Sequence, residues 1–304
     1  MKILISGGTG FIGTALINNL CESGYQISVL TRNPDRAIKQ FGNKVNAIQW
    51  DGISIEPLKT SITGCEIVIN LIGEGIANKL WTKSQKKKIY DSRILATNAL
   101  VTAVNRYSDS ITTFISGSAV GIYNDTPRNT VDESSAYGNN FLSKVCIDWE
   151  NEVNKLQKAS IRKVWLRTGL VLGKNGGVLN KLILPFKLGL GGALGSGKQY
   201  MNWIHISDMI TIISRICSDT TINGAVNLVS PENVTNHQFT KILGKILCRP
   251  TIFAVPSFIL KLILGELSTV LLTGPNVIPT KLLNANYAFK YPCLETALKQ
   301  LLHK

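Results

Sequence analysis

This chain is poor in the residues that build metal centres, disulfide frameworks and membrane spans. Its 304 residues include three histidines and six cysteines. No histidine stands at ligand spacing from a second His, Cys or carboxylate, so no metal site is expected. The cysteines (Cys21, Cys65, Cys146, Cys217, Cys248 and Cys293) form no C-x-x-C pair, and several sit among apolar residues where free thiols pack. The most apolar stretch, Ile252 to Leu272, is interrupted by Pro256, Lys261 and Glu266 well short of a membrane span and reads as a buried helix pair. The first residues enter a strand with no charged and then apolar leader, which sets the expectation of a cytoplasmic protein without a membrane partner. Acidic residues are scarce too: 19 Asp and Glu stand against 33 Lys and Arg, a formal net charge of +14. Such an excess attracts anions, whether a phosphorylated cofactor, an acidic substrate or nucleic acid. The one lysine cluster, Lys83 to Lys88, opens a helix whose other face is apolar. Neither an arginine-rich tail nor an aromatic platform accompanies it, which argues against nucleic acid.

Apolar residues and glycine are plentiful. At 44% hydrophobic content the chain can bury a full core. Strand-like runs recur at Ile3–Ser6, Ile27–Leu30, Ala47–Trp50, Ile67–Asn70, Thr113–Ser116, Val164–Leu166 and Ala225–Leu228, with helical patterns between them. The alternation predicts an α/β fold, a Rossmann-type doubly wound parallel sheet with all strand C-termini along one edge. The passage from Gly169 to Gly197 is glycine-rich and reads as loops around a cleft. Beyond Pro231 helices are expected at Asn236–Leu247, Ser257–Leu264 and Leu294–Leu302. The expected division is a sheet domain of residues 1–170 and 201–230, and a smaller, mainly helical C-terminal cap of residues 171–200 and 231–304.

The strongest local signal is the first βαβ unit. An apolar strand runs into Gly7-Gly8-Thr9-Gly10-Phe11-Ile12-Gly13, then into a helix that Gly24 stops, then into a second strand. A glycine turn in that context brings backbone N–H groups and a helix N-terminus against a pyrophosphate. The residue ending the second strand selects the cofactor: an acid binds a free ribose 2′-hydroxyl, whereas a cation accommodates a 2′-phosphate. Thr31-Arg32 stands there, with Arg36 nearby, so NADP is the expected cofactor. Trp50 and Asp51 end the third strand, where Trp50 either flanks the adenine or belongs to the core. The loop Gly191 to Gln199 looks like a phosphate loop, but Gln199 replaces the required Ser or Thr, so a nucleoside triphosphatase is excluded. His205 reads as a packed residue anchoring the following helix.

These features resemble an extended short-chain dehydrogenase/reductase. Gly7, Gly10 and Gly13 fit its G-x-x-G-x-x-G form, Asn70-Leu71-Ile72-Gly73 its N-x-A-G segment, and Trp203 to Asp208 its return to the sheet. The chain is most similar to an atypical subgroup labelled epimerase family protein, or sugar nucleotide epimerase-like. The subgroup's pattern is carried by Asn70 to Glu74, Asp91-Ser92-Arg93, Asp148-Trp149-Glu150, Gly169-Leu170-Val171-Leu172-Gly173 and a tail from Val255 to Pro292. The resemblance implies cofactor contacts at Gly7, Thr9, Gly10, Phe11, Ile12, Gly13, Thr31, Arg32, Leu71, Ile72, Gly73, Arg93 and Val171. It also implies a homodimer through two helices, Lys83–Arg106 and Leu142–Leu156.

Ordinary members use a Ser, a Tyr-x-x-x-Lys pair and an Asn, the Tyr serving as general acid or base with a pKa lowered by the Lys. Ser118, after the fifth strand, can fill the serine role, with Ser116 as the alternative. The tyrosine is missing in both possible registers. One puts Lys144 at the lysine position and Asn140 at the tyrosine position. The other, closer to the subgroup, puts Cys146 and Leu142 there, with Arg93 at the Asn position. Ser118, Lys144 and Cys146 are thus the candidate catalytic residues, Cys146 only if Arg93 or Lys144 lowers its thiol pKa. Arg93 reads as an anion ligand for a cofactor phosphate or substrate carboxylate. Two functions follow: an NADP-dependent oxidoreductase or epimerase on a small, anionic substrate, or a non-catalytic NADP-binding protein that reports cofactor state to a partner.

Overall fold

The computed structural model describes residues 1–125, 129–174 and 176–302. All seven strand-like runs join one parallel sheet: β1 (Lys2–Ser6), β2 (Gln26–Thr31), β3 (Val45–Gln49), β4 (Ile67–Asn70), β5 (Thr113–Ala119), β7 (Arg162–Thr168) and β10 (Gly224–Leu228). Short two-stranded pieces pair β6 (Thr130–Val131) with β11 (Asn276–Val277), and β8 (Leu170–Gly173) with β9 (Trp203–His205). The main order is β10-β7-β5-β4-β1-β2-β3, and every neighbour is parallel. Strand order therefore reverses between β1 and β4, the position where ligands bind in open α/β sheets.

Period-two alternation sorts the core into two layers. Ile3 and Ile5 of β1 face the helices α1 (Phe11–Glu22), α2 (Pro34–Phe41) and α7 (Ile206–Ser218). Leu4, Val68 and Phe114 face α3 (Glu56–Ser61), α4 (Lys83–Tyr107) and α5 (Phe141–Asn154). Trp50 belongs to this second layer, with its indole N–H donated to the Ser54 carbonyl at 2.8 Å, so it is a core residue. A third cluster joins α6 (Gly177–Lys187), Trp203, α8 (Asn236–Ile246) and α12 (Leu294–Leu302). Between them lie α9 (Ser257–Leu264), α10 (Thr269–Leu272) and α11 (Thr280–Asn284).

Three local expectations are corrected. The fifth strand runs three residues further than its apolar run, to Ala119, so Ser118 lies inside the strand and not after it. The glycine-rich passage holds β8 and α6 as well as loops, because Val178-Leu179 and Leu182-Ile183 supply an apolar face for the third cluster. Residues 252–272 do not form a buried helix pair: in α9 only Leu260 is buried.

Candidate dinucleotide site

The turn between β1 and α1 is built around glycine. Gly7 adopts φ +75°, and a β-carbon there would lie 2.7 Å from the Leu71 carbonyl carbon. A β-carbon on Gly13 would meet the Gly7 oxygen at 2.4 Å and the Gly8 Cα at 2.6 Å, so helix and turn touch backbone to backbone. The Gly10 amide is used by the Gly7 carbonyl at 3.2 Å. Beyond it α1 begins at Phe11 with no side-chain cap and no acid in its first turn. The first-turn amides, including Phe11, Ile12 and Gly13, are left to an anion at the positive end of the helix. Thr9 is half-buried in the same turn, and the Phe11 ring packs over Gly173 and Gly176 beside the β8 segment that holds Val171. The residues expected around the cofactor from these two segments are thereby adjacent.

At the end of β2 the Thr31 hydroxyl accepts the Asn33 amide at 3.2 Å, and the Asn33 side chain caps α2 by accepting the Arg36 amide at 2.9 Å. Arg32 is exposed between them and pairs with no carboxylate among the described residues. A cation held without a counter-charge beside the adenosine end of the turn suits a 2′-phosphate.

Behind the turn is a chain of buried hydrogen bonds. Ser6 Oγ donates to Asn70 Oδ1 (2.7 Å), Asn70 Nδ2 to Thr97 Oγ1 (2.8 Å), and Trp149 Nε1 to the same Thr97 oxygen (2.9 Å). This chain ties β1, β4, α4 and α5 together and holds the Leu71-Ile72-Gly73 segment that leaves β4, whose Leu71 amide donates to the Ser6 carbonyl at 3.0 Å. Arg93 projects from α4 against Gly73 and over the Trp149 ring, 5.2 Å from its centre. Its Nη1 donates to the Glu74 and Ile89 carbonyls, at 3.1 and 2.8 Å. Among the described residues no carboxylate lies within ion-pair distance, and burial pulls the guanidinium pKa below its usual value. An uncompensated, partly desolvated guanidinium is suited to an anion.

The candidate proton-moving groups are all committed elsewhere. The face of α5 turned to β5 carries Leu142, Cys146 and Glu150: Leu142 packs at Gly121, Cys146 on the Ala119 backbone, and Glu150 accepts the Ser118 hydroxyl at 2.7 Å. The second sequence register is therefore the one that faces inward. Lys144 points to solvent and pairs with Asp148 at 2.8 Å, a bond that raises its pKa, so it is not brought to Ser118. The lowered thiol pKa that a reactive Cys146 needs is not found, since burial pushes it up to about 12 and outweighs the charge of Arg93. Asn140 at the first-register tyrosine position is a helix cap, accepting the Ser143 amide at 3.0 Å.

Sequence patterns missed the group that organises this region, Arg167. It is buried, donates through Nε and Nη2 to both Glu150 oxygens at 2.9 Å each, and through Nη1 to Tyr123 Oη at 2.9 Å. Burial opposes its charge, but Glu150 more than compensates and holds its pKa above the usual value. Tyr123 in turn donates to Asn227 at 2.7 Å, and burial pushes its phenol up to about 12. Tyr137 Oη accepts a longer bond of 3.3 Å from Arg167 Nη2. The signal available was an arginine directly after Val164–Leu166, a run reading as a buried parallel strand. His205 caps α7 through Nδ1, which accepts the Ser207 amide at 3.0 Å, as its anchoring role required. Gln199 donates to the Leu194 and Leu271 carbonyls, which makes its loop a structural strap.

A doubly wound sheet with an uncapped glycine turn at its switch point defines a dinucleotide-binding α/β protein of the extended short-chain type. Residues 3–228 match the NAD dependent epimerase/dehydratase family, and residues 255–301 match a domain of unknown function, DUF1731. The chain is 34% identical to the mouse epimerase family protein SDR39U1 over 305 residues, covering 99% of both. It is also 34% identical to the epimerase family protein YfhF of Bacillus subtilis, covering 99% of this chain and 98% of that one. A crystal structure of human epimerase family protein SDR39U1 (isoform 2) with NADPH superposes with a TM-score of 0.90 at 32% identity, covering 99% of each chain. The protein belongs to the NAD dependent epimerase/dehydratase family and, within it, to the SDR39U1-like epimerase family proteins. Among the described residues no helix is long and apolar enough to cross a membrane.

Proposed function

We propose that this chain binds NADP(H) and acts as an oxidoreductase or epimerase on a small anionic substrate beneath the cap. The observation that carries the reading is the uncapped N-terminus of α1 behind a turn that admits no side chain at Gly13. The first-turn amides of α1 would hold the pyrophosphate, Arg32 with Arg36 the 2′-phosphate, and Arg93 the substrate anion. When bound, the cofactor supplies or accepts a hydride. In this reading residues 1–170 and 201–230 hold the cofactor, residues 171–200 and 231–304 cover the substrate, and two copies pair through α4 and α5.

One observation favours the second reading, a non-catalytic NADP(H)-binding protein. The Ser118 proton is directed to Glu150, the Cys146 thiol is raised to about 12, and Lys144 is paired with Asp148. A missing general acid or base is typically worth about 10²–10⁴ in rate.

Fluorescence titration with NADPH and NADH tests the cofactor assignment. The wild-type protein should prefer NADPH, and Arg32→Ala should weaken NADPH about tenfold or more while leaving NADH nearly unchanged. Equal effects on both cofactors would remove Arg32 from the site. NADPH turnover is then followed on carbonyl and sugar-nucleotide panels with and without a carboxylate. Turnover that prefers the carboxylate and loses that preference in Arg93→Met supports the enzyme. Tight NADPH binding with no turnover on any class supports the second reading.

A further inference from the structure

The segment expected to be a buried helix pair instead carries the most exposed large apolar side chains among the described residues. Phe258 and Leu262 of α9 are 68% and 84% exposed, and Ile252 and Phe253 just before it 79% and 72%. The loop after α6 runs beside this segment: the Val255 amide donates to the Ala193 carbonyl and the Gly195 amide to the Val255 carbonyl, each at 2.8 Å. Arg249 Nε donates to the Lys187 carbonyl, also at 2.8 Å. That loop adds Leu188 and Leu190, 66% and 68% exposed. Single exposed leucines are ordinary, but six large apolar side chains on adjoining segments mark an interaction surface.

The charge on the same segments is of one sign. Residues 177–200 and 236–264 contain seven lysines and arginines and no aspartate or glutamate. Lys187 and Lys261 directly precede Leu188 and Leu262, and both are exposed, as is Arg249. A second copy of this chain seated on the face would bring Lys187, Arg249 and Lys261 against their own counterparts, while the acids flanking these segments, Glu266 and Glu295, are already paired with Lys86 and Lys245. An amphipathic surface of aromatic and aliphatic side chains flanked by exposed cations is what an anionic lipid interface accepts: the apolar groups enter the headgroup–acyl boundary and the cations meet phosphates.

We propose that this cap face, α9 with the preceding 252–256 segment and the 187–195 loop, docks on the surface of an anionic lipid bilayer. The attachment is peripheral and stands apart from the proposed cofactor chemistry. It replaces the sequence expectation of no membrane partner.

The test is sedimentation of the full chain with phosphatidylglycerol-containing vesicles and with pure phosphatidylcholine vesicles, at low and high salt. Binding to the anionic vesicles alone, weakening with salt, is expected and needs no variant. Lys187→Gln with Lys261→Gln should weaken it about 25-fold at low salt, about fivefold per cation. Phe258→Ser with Leu262→Ser should weaken it at least about tenfold. All four sites are exposed, so circular dichroism and NADPH affinity should be those of the wild type. Failure of the wild-type protein to sediment with anionic vesicles overturns the proposal. So does equal sedimentation with both vesicle types, or a dimer in ultracentrifugation that Phe258→Ser with Leu262→Ser dissolves. Loss of NADPH binding with vesicle binding intact would count against the cofactor reading alone.

Discussion

Replacing Glu150 by Gln removes one charge from a pair that is almost entirely buried. The Arg167 and Glu150 side chains are 2% and 7% exposed, and two bonds of 2.9 Å join them in a fork, with Ser118 adding a third donor to the same carboxylate. In Glu150→Gln the guanidinium stays buried without a counter-charge, and the amide presents N–H groups where Arg167 and Ser118 need acceptors. Breaking a buried pair from one side costs about 3–5 kcal/mol. Lys144–Asp148 provides the contrast on the same helix: its lysine is 70% exposed, and removing such a pair costs about 0–1 kcal/mol. Urea unfolding of the cofactor-free protein, fitted by linear extrapolation, should separate Glu150→Gln from Asp148→Asn by that margin. The double variant Glu150→Met with Arg167→Met should be less damaged than the sum of its single changes, because no charge is then stranded. A loss under about 1 kcal/mol for Glu150→Gln, or strict additivity in the cycle, would refute the pair as a buried unit.

Two further outcomes follow from single positions. Gly13→Ala places a β-carbon on backbone atoms that cannot swing aside, and such overpacking costs about 1–3 kcal/mol. NADPH affinity measured by fluorescence should fall about tenfold or more, and an unchanged affinity would mean that the turn is not the phosphate site. His205 accepts the Ser207 amide at Nδ1 and meets Gln300 Oε1 at 3.0 Å with Nε2, the pattern of a neutral ring, and burial holds its pKa below 6.5. Asp208 favours its protonation and Lys290 opposes it, both by less than burial does. As pH falls through about 6.5 the unfolded chain takes up a proton that the folded ring refuses, so stability declines below that pH until the lower folded pKa is reached. His205→Asn keeps a cap acceptor and should flatten that limb of the stability–pH curve, whereas an unchanged limb would assign it to another group.

The sheet was legible because each of its seven strands is local and carries a short apolar run; six hold fully buried residues, and only the edge strand β3 has none. The glycine turn was legible for the same reason, its requirements lying within thirteen consecutive residues. Ser118 was placed one step wrong because Gly117 and Ser118 carry no strand signal; β5 continues through them by pairing with Gly117↔Leu166 and Ser118↔Arg167 of β7. Lys144 and Cys146 could not be told apart as inward residues until the helix phase was known, since two registers place different residues on the inner face. The network of Arg167 with Glu150, Tyr123 and Asn227 joins residues 17, 44 and, from Tyr123 to Asn227, 104 positions apart, and only the tertiary fold brings them together. Residues 252–272 misled because composition reports apolar content and not whether another layer is available to cover it.

Binding and catalysis make different demands on this site, and the residues here meet them unequally. A pyrophosphate needs backbone amides and close approach, which Gly7, Gly13 and the bare start of α1 supply without any titratable side chain. Proton transfer needs a group whose pKa lies near the working pH. Around Ser118 the ionisable groups have been driven the other way: Tyr123 and Cys146 stand near 12, and Arg167 is held charged against Glu150. The neutral chain Ser6–Asn70–Thr97–Trp149 couples the turn to α4 and α5 without adding a proton donor of useful strength. Arg93 alone stands at the junction of the two regions with no carboxylate partner among the described residues. In the proposed reading, an anion met by Arg93 would decide whether a cofactor held by the turn has a substrate beside it.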